Sequence, residues 1–365
     1  MRMLDKGKIS GLQMAMLLYP AIMATFFLTL PSSTAYYARN DMWMAGILSA
    51  FFGVLVIYIA TKLHELFPGE TIIQQSEHII GVLPGKVIGI LFFFYSIHVA
   101  GLITRMYAEF VTGQFFFKTP LLLIIALMVL LASIAVRGGI EVMARCAVIF
   151  TPIFIFPLLL LLLLFPDLEL HNIFPVLSRG ILPVLQATAL PQAWVSELFF
   201  ISFFLPSLNS PAKGRKWGNI TLAAVLLSII YVNLITLFLL GPDAANKTYP
   251  ILVTFRYISV NGIFENLESL LLAMWIFGNF IKICVFLYVA VVSFTQILRL
   301  SDYRPVVFPM GILAIVLSFW GIPDASVLGE YIRYVGPFEI PAVMLLIPLM
   351  LLLIALMRRS GTAKK

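Results

Sequence analysis

Residues 266–298 read NLESLLLAMWIFGNFIKICVFLYVAVVSFTQIL, an apolar run with Lys282 in its middle. At about 1.5 Å of rise per helical residue the lysine lies roughly 24 Å from either end, too deep for its ammonium to reach the membrane surface. A charge at bilayer depth is expensive unless it faces a partner, a cavity or water, so the position marks a functional site as well as a membrane span.

The remainder of the chain is built alike. Hydrophobic residues make up 61% of the 365 positions and charged residues 11%, with a mean hydropathy of +1.04; soluble domains carry about 25% charged residues. With about 20 apolar residues needed per crossing, the runs predict ten helices, at about 9–31, 42–66, 87–117, 120–136, 139–165, 180–206, 217–240, 266–298, 305–321 and 334–357. Ser33-Thr34-Ala35 faintly imitates a signal-peptide cleavage site, but the apolar run before it is too long, and it is expected to be a retained first span. Cys146 and Cys284 fall inside spans, with no disulfide framework or metal spacing around them.

The net charge of +7 is distributed as topology rather than as a nucleic-acid surface. With the N-terminus inside, fifteen of the 24 basic residues fall on one face, including Arg2, Lys6, Lys8, Lys62, Lys86, Lys213, Arg215, Lys216, Arg299, Arg358, Lys364 and Lys365. Six fall on the other, among them Arg39, Lys247 and Arg333, and three lie within spans, Arg105, Arg145 and Lys282. This bias predicts cytoplasmic termini.

Nothing resembling a linker divides residues 1–365, which are expected to form one membrane domain with spans 1–5 over about 9–165 and spans 6–10 over about 180–357. Residues 68–86 mix isoleucine with Gln, Glu and His, as a short interfacial helix does; 241–265 suggest an outer lid. The first and sixth spans hold equivalent positions in two groups of five, and both carry prolines. Pro20 precedes Ala21, Ala24 and Thr25; Pro183 and Pro191 sit among Gln186, Thr188, Gln192 and Ser196. Since five is odd, the second group enters from the opposite side, giving an all-α membrane fold with a 5+5 inverted repeat and broken first and sixth helices. Backbone groups freed at such breaks can bind a carboxylate and an amine. The competing reading is proline as a packing kink, its freed carbonyls met by neighbouring side chains.

Several segments together resemble the B subunits of spore nutrient-germinant receptors. They are Thr29-Leu30-Pro31, Thr104-Arg105-Met106-Tyr107-Ala108-Glu109, Phe174-Pro175-Val176-Leu177, Ser196-Glu197 with Pro206, Phe264-Glu265-Asn266-Leu267-Glu268-Ser269, and Ile347-Pro348 through Arg358-Arg359. The resemblance implies membership of the amino acid, polyamine and organocation transporter superfamily, and with it a ten-span LeuT-type fold. It also implies a sensor of nutrients such as amino acids, acting with a membrane-anchored A subunit and a C-subunit lipoprotein in the spore inner membrane. Two departures stand out: Ala24-Thr25-Phe26 replaces the Gly-rich break typical of the first span, and Ser196 replaces the usual glycine before Glu197.

The candidate ligand-binding residues are Ala24, Thr25, Tyr95, His98, Gln192, Ser196 and Lys282, with Arg105, Glu109 and Glu197 as candidate gating or ion-pair residues. Arg105 and Glu109 share a helix face four residues apart, and either gate an outer vestibule or neutralise one another. Glu141 and Arg145 repeat the spacing as an interfacial pair. Glu197 closes the inner side, binds a cation or joins a helix-packing hydrogen bond. His98 and Tyr95 either line the pocket or pack. In a LeuT-type fold Lys282 would stand in for a coupling ion or bind a ligand carboxylate, or it would form a structural pair; burial and a carboxylate such as Glu197 act on its protonation in opposite directions.

Enzyme signatures are missing from the sequence: His64, His78, His98 and His171 are scattered, and Lys213-Gly214-Arg215-Lys216 lacks phosphate-loop spacing. No cofactor or metal is implied. The expected function is a nutrient sensor on a transporter fold, with a proton-coupled permease and a non-binding scaffold as alternatives. The expected partners are A-type and C-type subunits, a small nutrient and membrane lipid, without nucleic acid.

Overall fold

A computed structural model describes residues 7–258, 267–321 and 324–362. Arg2, Lys6, Lys364 and Lys365 lie outside the described residues, as do 264–266 of the eighth-span motif, the end of the expected outer lid and the side chain of Arg359.

Helix α1 (Gly11–Ala38) opens on a capping box, in which Ser10 Oγ accepts the Gln13 N–H at 3.1 Å and the Gln13 side chain accepts the Ser10 N–H at 2.8 Å. The interruption expected around Pro20 and Ala24 is not a loss of helix, because α1 runs unbroken through both. Pro20 has no N–H for the Met16 carbonyl, and Thr151 Oγ1 from a neighbouring helix donates to that carbonyl at 2.7 Å. Ala24 and Thr25 in place of glycine also favour the helix. The kink reading therefore holds for the first span.

The chain continues through α2 (Met44–Leu66), the short amphipathic α3 (Ile72–Ile80), α4 (Val82–Gln114), α5 (Leu121–Arg137) and α6 (Ile140–Leu160). Gly81 and Gly139 make the turns into α4 and α6 at φ of 97° and 96°, where a side chain would be strained. The sixth span is interrupted: α7 (Leu182–Ser196) tightens into a 3-10 turn, Glu197–Phe200, before α8 (Ile201–Phe204). Next come α9 (Gly214–Leu240), α10 (Pro250–Tyr257), α11 (Glu268–Ile297) and α12 (Val307–Trp320).

The last span is segmented as α13 (Ala325–Glu330), a π turn Tyr331–Val335, α14 (Gly336–Pro341), a second π turn Ala342–Leu346 and α15 (Ile347–Thr362). It begins well before residue 334, because Asp324 caps it by accepting the N–H groups of Ser326 and Val327 at 2.8 and 3.0 Å. Eight helical stretches among the described residues are long and apolar enough to cross a membrane. Two shorter apolar helices, Leu121–Arg137 and Arg304–Trp320, stand where the fourth and ninth spans are expected. Helices α3 and α10 follow the second span of each half, the positions assigned to the interfacial helix and the lid.

Lipid chains are as apolar as leucine, so close packing through small residues holds membrane helices together. A Cβ built on Gly53 of α2 would lie 2.4 Å from Leu222 of α9, and one on Gly278 of α11 would lie 2.5 Å from Phe154 of α6 and 3.1 Å from Ala24 of α1. Helix α1 runs through the middle of the bundle against α6, α7, α9 and α11, and one hydrophobic cluster joins both halves.

Candidate functional site

The interruption in the sixth span places Glu197 opposite α11, where Lys282 Nζ donates to Glu197 Oε2 at 2.7 Å. Their side chains are 2% and 1% exposed. Lys282 also sits 5.4 Å from the ring centre of Phe286, one turn further along α11. A buried ion pair of this kind is held by its geometry, and removing either partner leaves a bare charge in a low dielectric.

Both groups face a cavity of about 40 Å³, space for a few waters at most. Thr25 of α1 and Tyr331 of the last span add hydroxyl-bearing side chains to its lining, and the other walls are largely apolar, among them Val99 and Met106 of α4, Trp194 of α7, and Ile332 and Ile340 of the last span. Tyr95 is buried beside Phe286, its hydroxyl without a hydrogen-bond partner among the described residues.

Of the sequence-derived candidates, the structure brings Thr25, Glu197 and Lys282 together at the cavity, with Tyr95 close to Glu197. Ala24 instead packs on Gly278, on the face of α1 turned towards α11. Ser196 turns its hydroxyl back to the Gln192 carbonyl at 2.7 Å, and neither residue lines the cavity. Tyr331 stands on the cavity wall and His98 packs against it, ring centres 5.8 Å apart, without lining the cavity itself. Arg105 is bound to Glu109 at 2.7 Å and lies over Phe319 of α12 at 5.4 Å, away from the cavity lining. Glu141 and Arg145 form an exposed pair at 3.5 Å.

The last span supplies what sequence reading missed. Tyr331, Ile332, Gly336 and Ile340 face the central cavity, while Arg333, Tyr334, Pro337 and Phe338 face a vestibule of about 560 Å³ on the side of Lys247. This irregular stretch is thus the wall between them, and Leu190 borders both. Arg333 fastens the wall to α1, its guanidinium 3.6 Å from the ring centre of Tyr36. The available signal was Gly336-Pro337 followed by Pro341, which disfavours a regular helix.

The opposite side is sealed more deeply. Phe200 packs on Phe286 at 4.7 Å, Phe204 stacks with Tyr288 at 5.9 Å, and Phe92 meets Phe199 and Phe203 at 6.1 and 6.0 Å. Beyond these rings the segment before α1 is tied to the loop after α8, Ile9 N–H donating to the Ser207 carbonyl at 2.9 Å and Asn209 N–H to the Ile9 carbonyl at 3.0 Å.

Known proteins are similar to this chain in sequence and in fold. A family model described as "Spore germination protein" matches residues 8–324. Spore germination protein KB of Bacillus subtilis (strain 168) is 25% identical over 99% of this chain and 98% of its own length. Spore germination protein YndE of the same organism is 26% identical over 97% and 98%. Among solved structures, the closed form of MHP1, a nucleobase-cation-symport-1 family transporter with bromovinylhydantoin bound, superimposes with a TM-score of 0.70 at 12% identity, covering 95% of this chain and 78% of that one. MhsT in complex with L-phenylalanine gives 0.66 at 12% identity, over 96% and 99%. The fold is therefore that of LeuT-type transporters, and these structural neighbours are transporters rather than enzymes.

Proposed function

The chain belongs to the spore germination protein family, and we propose from that membership and from its central cavity that it is the nutrient-sensing subunit of a germinant receptor. A small molecule, an amino acid by its chemistry, binds at the cavity between the first, third, sixth, eighth and last spans. The observation that carries this reading is the buried Lys282–Glu197 pair facing that cavity in a transporter fold. MhsT, with the same fold, holds L-phenylalanine.

A ligand acts on such a protein only through differential affinity for its conformations. The central cavity is too small for an amino acid in the closed form, so binding requires a wall to move. The thin wall is the outer part of the last span; the aromatic packing below Lys282 is thicker. Ligand therefore enters from the vestibule, and occupancy shifts the equilibrium between closed and open walls. That shift passes to A-type and C-type subunits in the spore inner membrane. The positive-inside bias supports cytoplasmic termini and a vestibule on the outer face.

The deciding experiment uses the purified full chain in lipid nanodiscs and in liposomes, with a panel of radiolabelled amino acids. Saturable binding without liposome uptake supports the sensor; uptake by the chain alone makes it a permease; neither binding nor uptake leaves a scaffold.

A further inference from the structure

We infer that the face where α2 ends and α9 begins carries a headgroup site for an anionic phospholipid, in the pocket formed by the end of α2, the loop after it and the loop between α8 and α9. The pocket holds about 310 Å³ and shares no lining residue with the central cavity. The positive-inside bias predicts that this face is the cytoplasmic one.

The argument begins with position. Helix α2 exposes Ile47, Phe51, Val54 and Tyr58 at intervals of three or four residues, the apolar stripe that a span turns towards lipid chains. At the inner end of this stripe the Arg215 guanidinium lies 5.2 Å from the ring centre of Tyr58, and Arg215 also lines the pocket. An acyl chain lying along the stripe therefore brings its headgroup to Arg215.

Charge selects the headgroup. Arg215 has no hydrogen-bond or ion-pair partner among the described residues, and its planar fork suits two phosphate oxygens. Lys8 Nζ donates to the carbonyl of Pro206, a lining residue, at 3.1 Å, which adds a second cation with N–H donors to spare. The carboxylate on the lining, Glu65, is already met by Lys62 at 2.8 Å. The pocket is thus positive on balance, and basic residues beside the membrane attract anionic lipid. A choline headgroup would carry its own cation into the same field.

The walls suit a compact, hydroxylated headgroup. Pro68, Pro206 and Pro211 restrict the two loops, so little ordering is needed on binding. Thr61 and His64 supply buried polar side chains to the lining, and His64 Nδ1 has no hydrogen-bond partner among the described residues. Phosphoglycerol matches this polarity. Free phosphate would engage Arg215 but leave the α2 stripe unused, so the occupant is a lipid.

The test is native mass spectrometry of the purified full chain in detergent, titrated with phosphatidylglycerol and phosphatidylcholine of identical acyl chains, with soluble glycerol phosphate as competitor. Wild type should bind phosphatidylglycerol at least about tenfold more tightly than phosphatidylcholine, and glycerol phosphate at equal concentration should not displace it. Arg215→Gln removes the charge and Ala212→Trp fills the pocket without changing charge, and each should abolish the preference. Arg304→Gln, exposed on the same face but outside the pocket, should retain it. Equal affinity of wild type for the two lipids would overturn the site. So would a loss in Arg304→Gln as large as in Arg215→Gln, which would make the attraction a property of the whole basic face. Displacement by glycerol phosphate would overturn the lipid as occupant in favour of a soluble phosphate. The wild-type comparison and Ala212→Trp decide the matter if Arg215→Gln fails to fold.

Discussion

Lys282 and Glu197 meet at 2.7 Å across the eighth and sixth spans, and each is the hydrogen-bond partner that makes the other tolerable inside the bundle. The 3-10 turn that begins at Glu197 brings the carboxylate to this place. Because the pair is interdependent, its members should be strongly coupled. Lys282→Met or Glu197→Gln alone should each cost about 3–5 kcal/mol, whereas the double substitution should cost much less than the sum, as replacing a whole buried pair often does. Thermal unfolding of the four proteins in one detergent measures the cycle; additive losses would mean that the two groups do not depend on one another.

Thr151 and Pro20 form a second such relationship, in which a hydroxyl on α6 satisfies the carbonyl that a proline in α1 leaves open. Thr151→Val should destabilise by about 1–3 kcal/mol, the cost of stranding a buried acceptor. Pro20→Ala restores a backbone donor, so Thr151→Val made in that background should be nearly neutral. Equal losses in both backgrounds would refute the assignment.

Ala24 and Gly278 set the separation of α1 and α11. Gly278→Val would place its Cβ against the Phe154 ring and should cost about 1–3 kcal/mol through overpacking. Ala24→Leu should behave likewise, lowering stability more than it discriminates among ligands. A specific change in ligand preference with unaltered melting would instead put Ala24 at the ligand.

Arg333 stacked on Tyr36 is the fastening of the outer wall. Lysine keeps the charge but not the planar stacking, so Arg333→Lys should speed both association and dissociation of ligand while Kd changes little. Stopped-flow fluorescence of Trp194, which lines the cavity, reports the rates. Unchanged kinetics would assign gating to another segment.

How legible this was in the sequence depended on polarity. Lys282 and Glu197 stand out because charge inside an apolar run needs a reason, but Glu197 is there only one carboxylate that could meet the lysine, and their pairing is set by the 3-10 turn that aims it at α11. Asp324 and the Gly336-Pro337 pair fix where the last span starts and bends, yet Tyr331 and Ile332 precede the span expected at about 334–357, and Ile340 reads as an ordinary span residue because a cavity wall and a lipid-facing surface use the same side chains. Gln192 and Ser196 looked like site residues for the converse reason: a hydroxyl can satisfy itself on its own helix, as Ser196 does. The fate of the first span turned on Thr151, about 130 residues away from Pro20, a contact that no local pattern encodes.

The central claim is that nutrient occupancy of the Lys282–Glu197 cavity triggers the response. Its most direct measurement is release of spore-core solutes against nutrient dose, in spores where this chain provides the only receptor of its kind, with wild type compared to Lys282→Met at equal membrane abundance. The account predicts a dose curve for the Met variant displaced to at least about 100-fold higher nutrient, while germination by agents that bypass nutrient receptors is unchanged. A variant present in the membrane and responding at the wild-type nutrient concentration would contradict it.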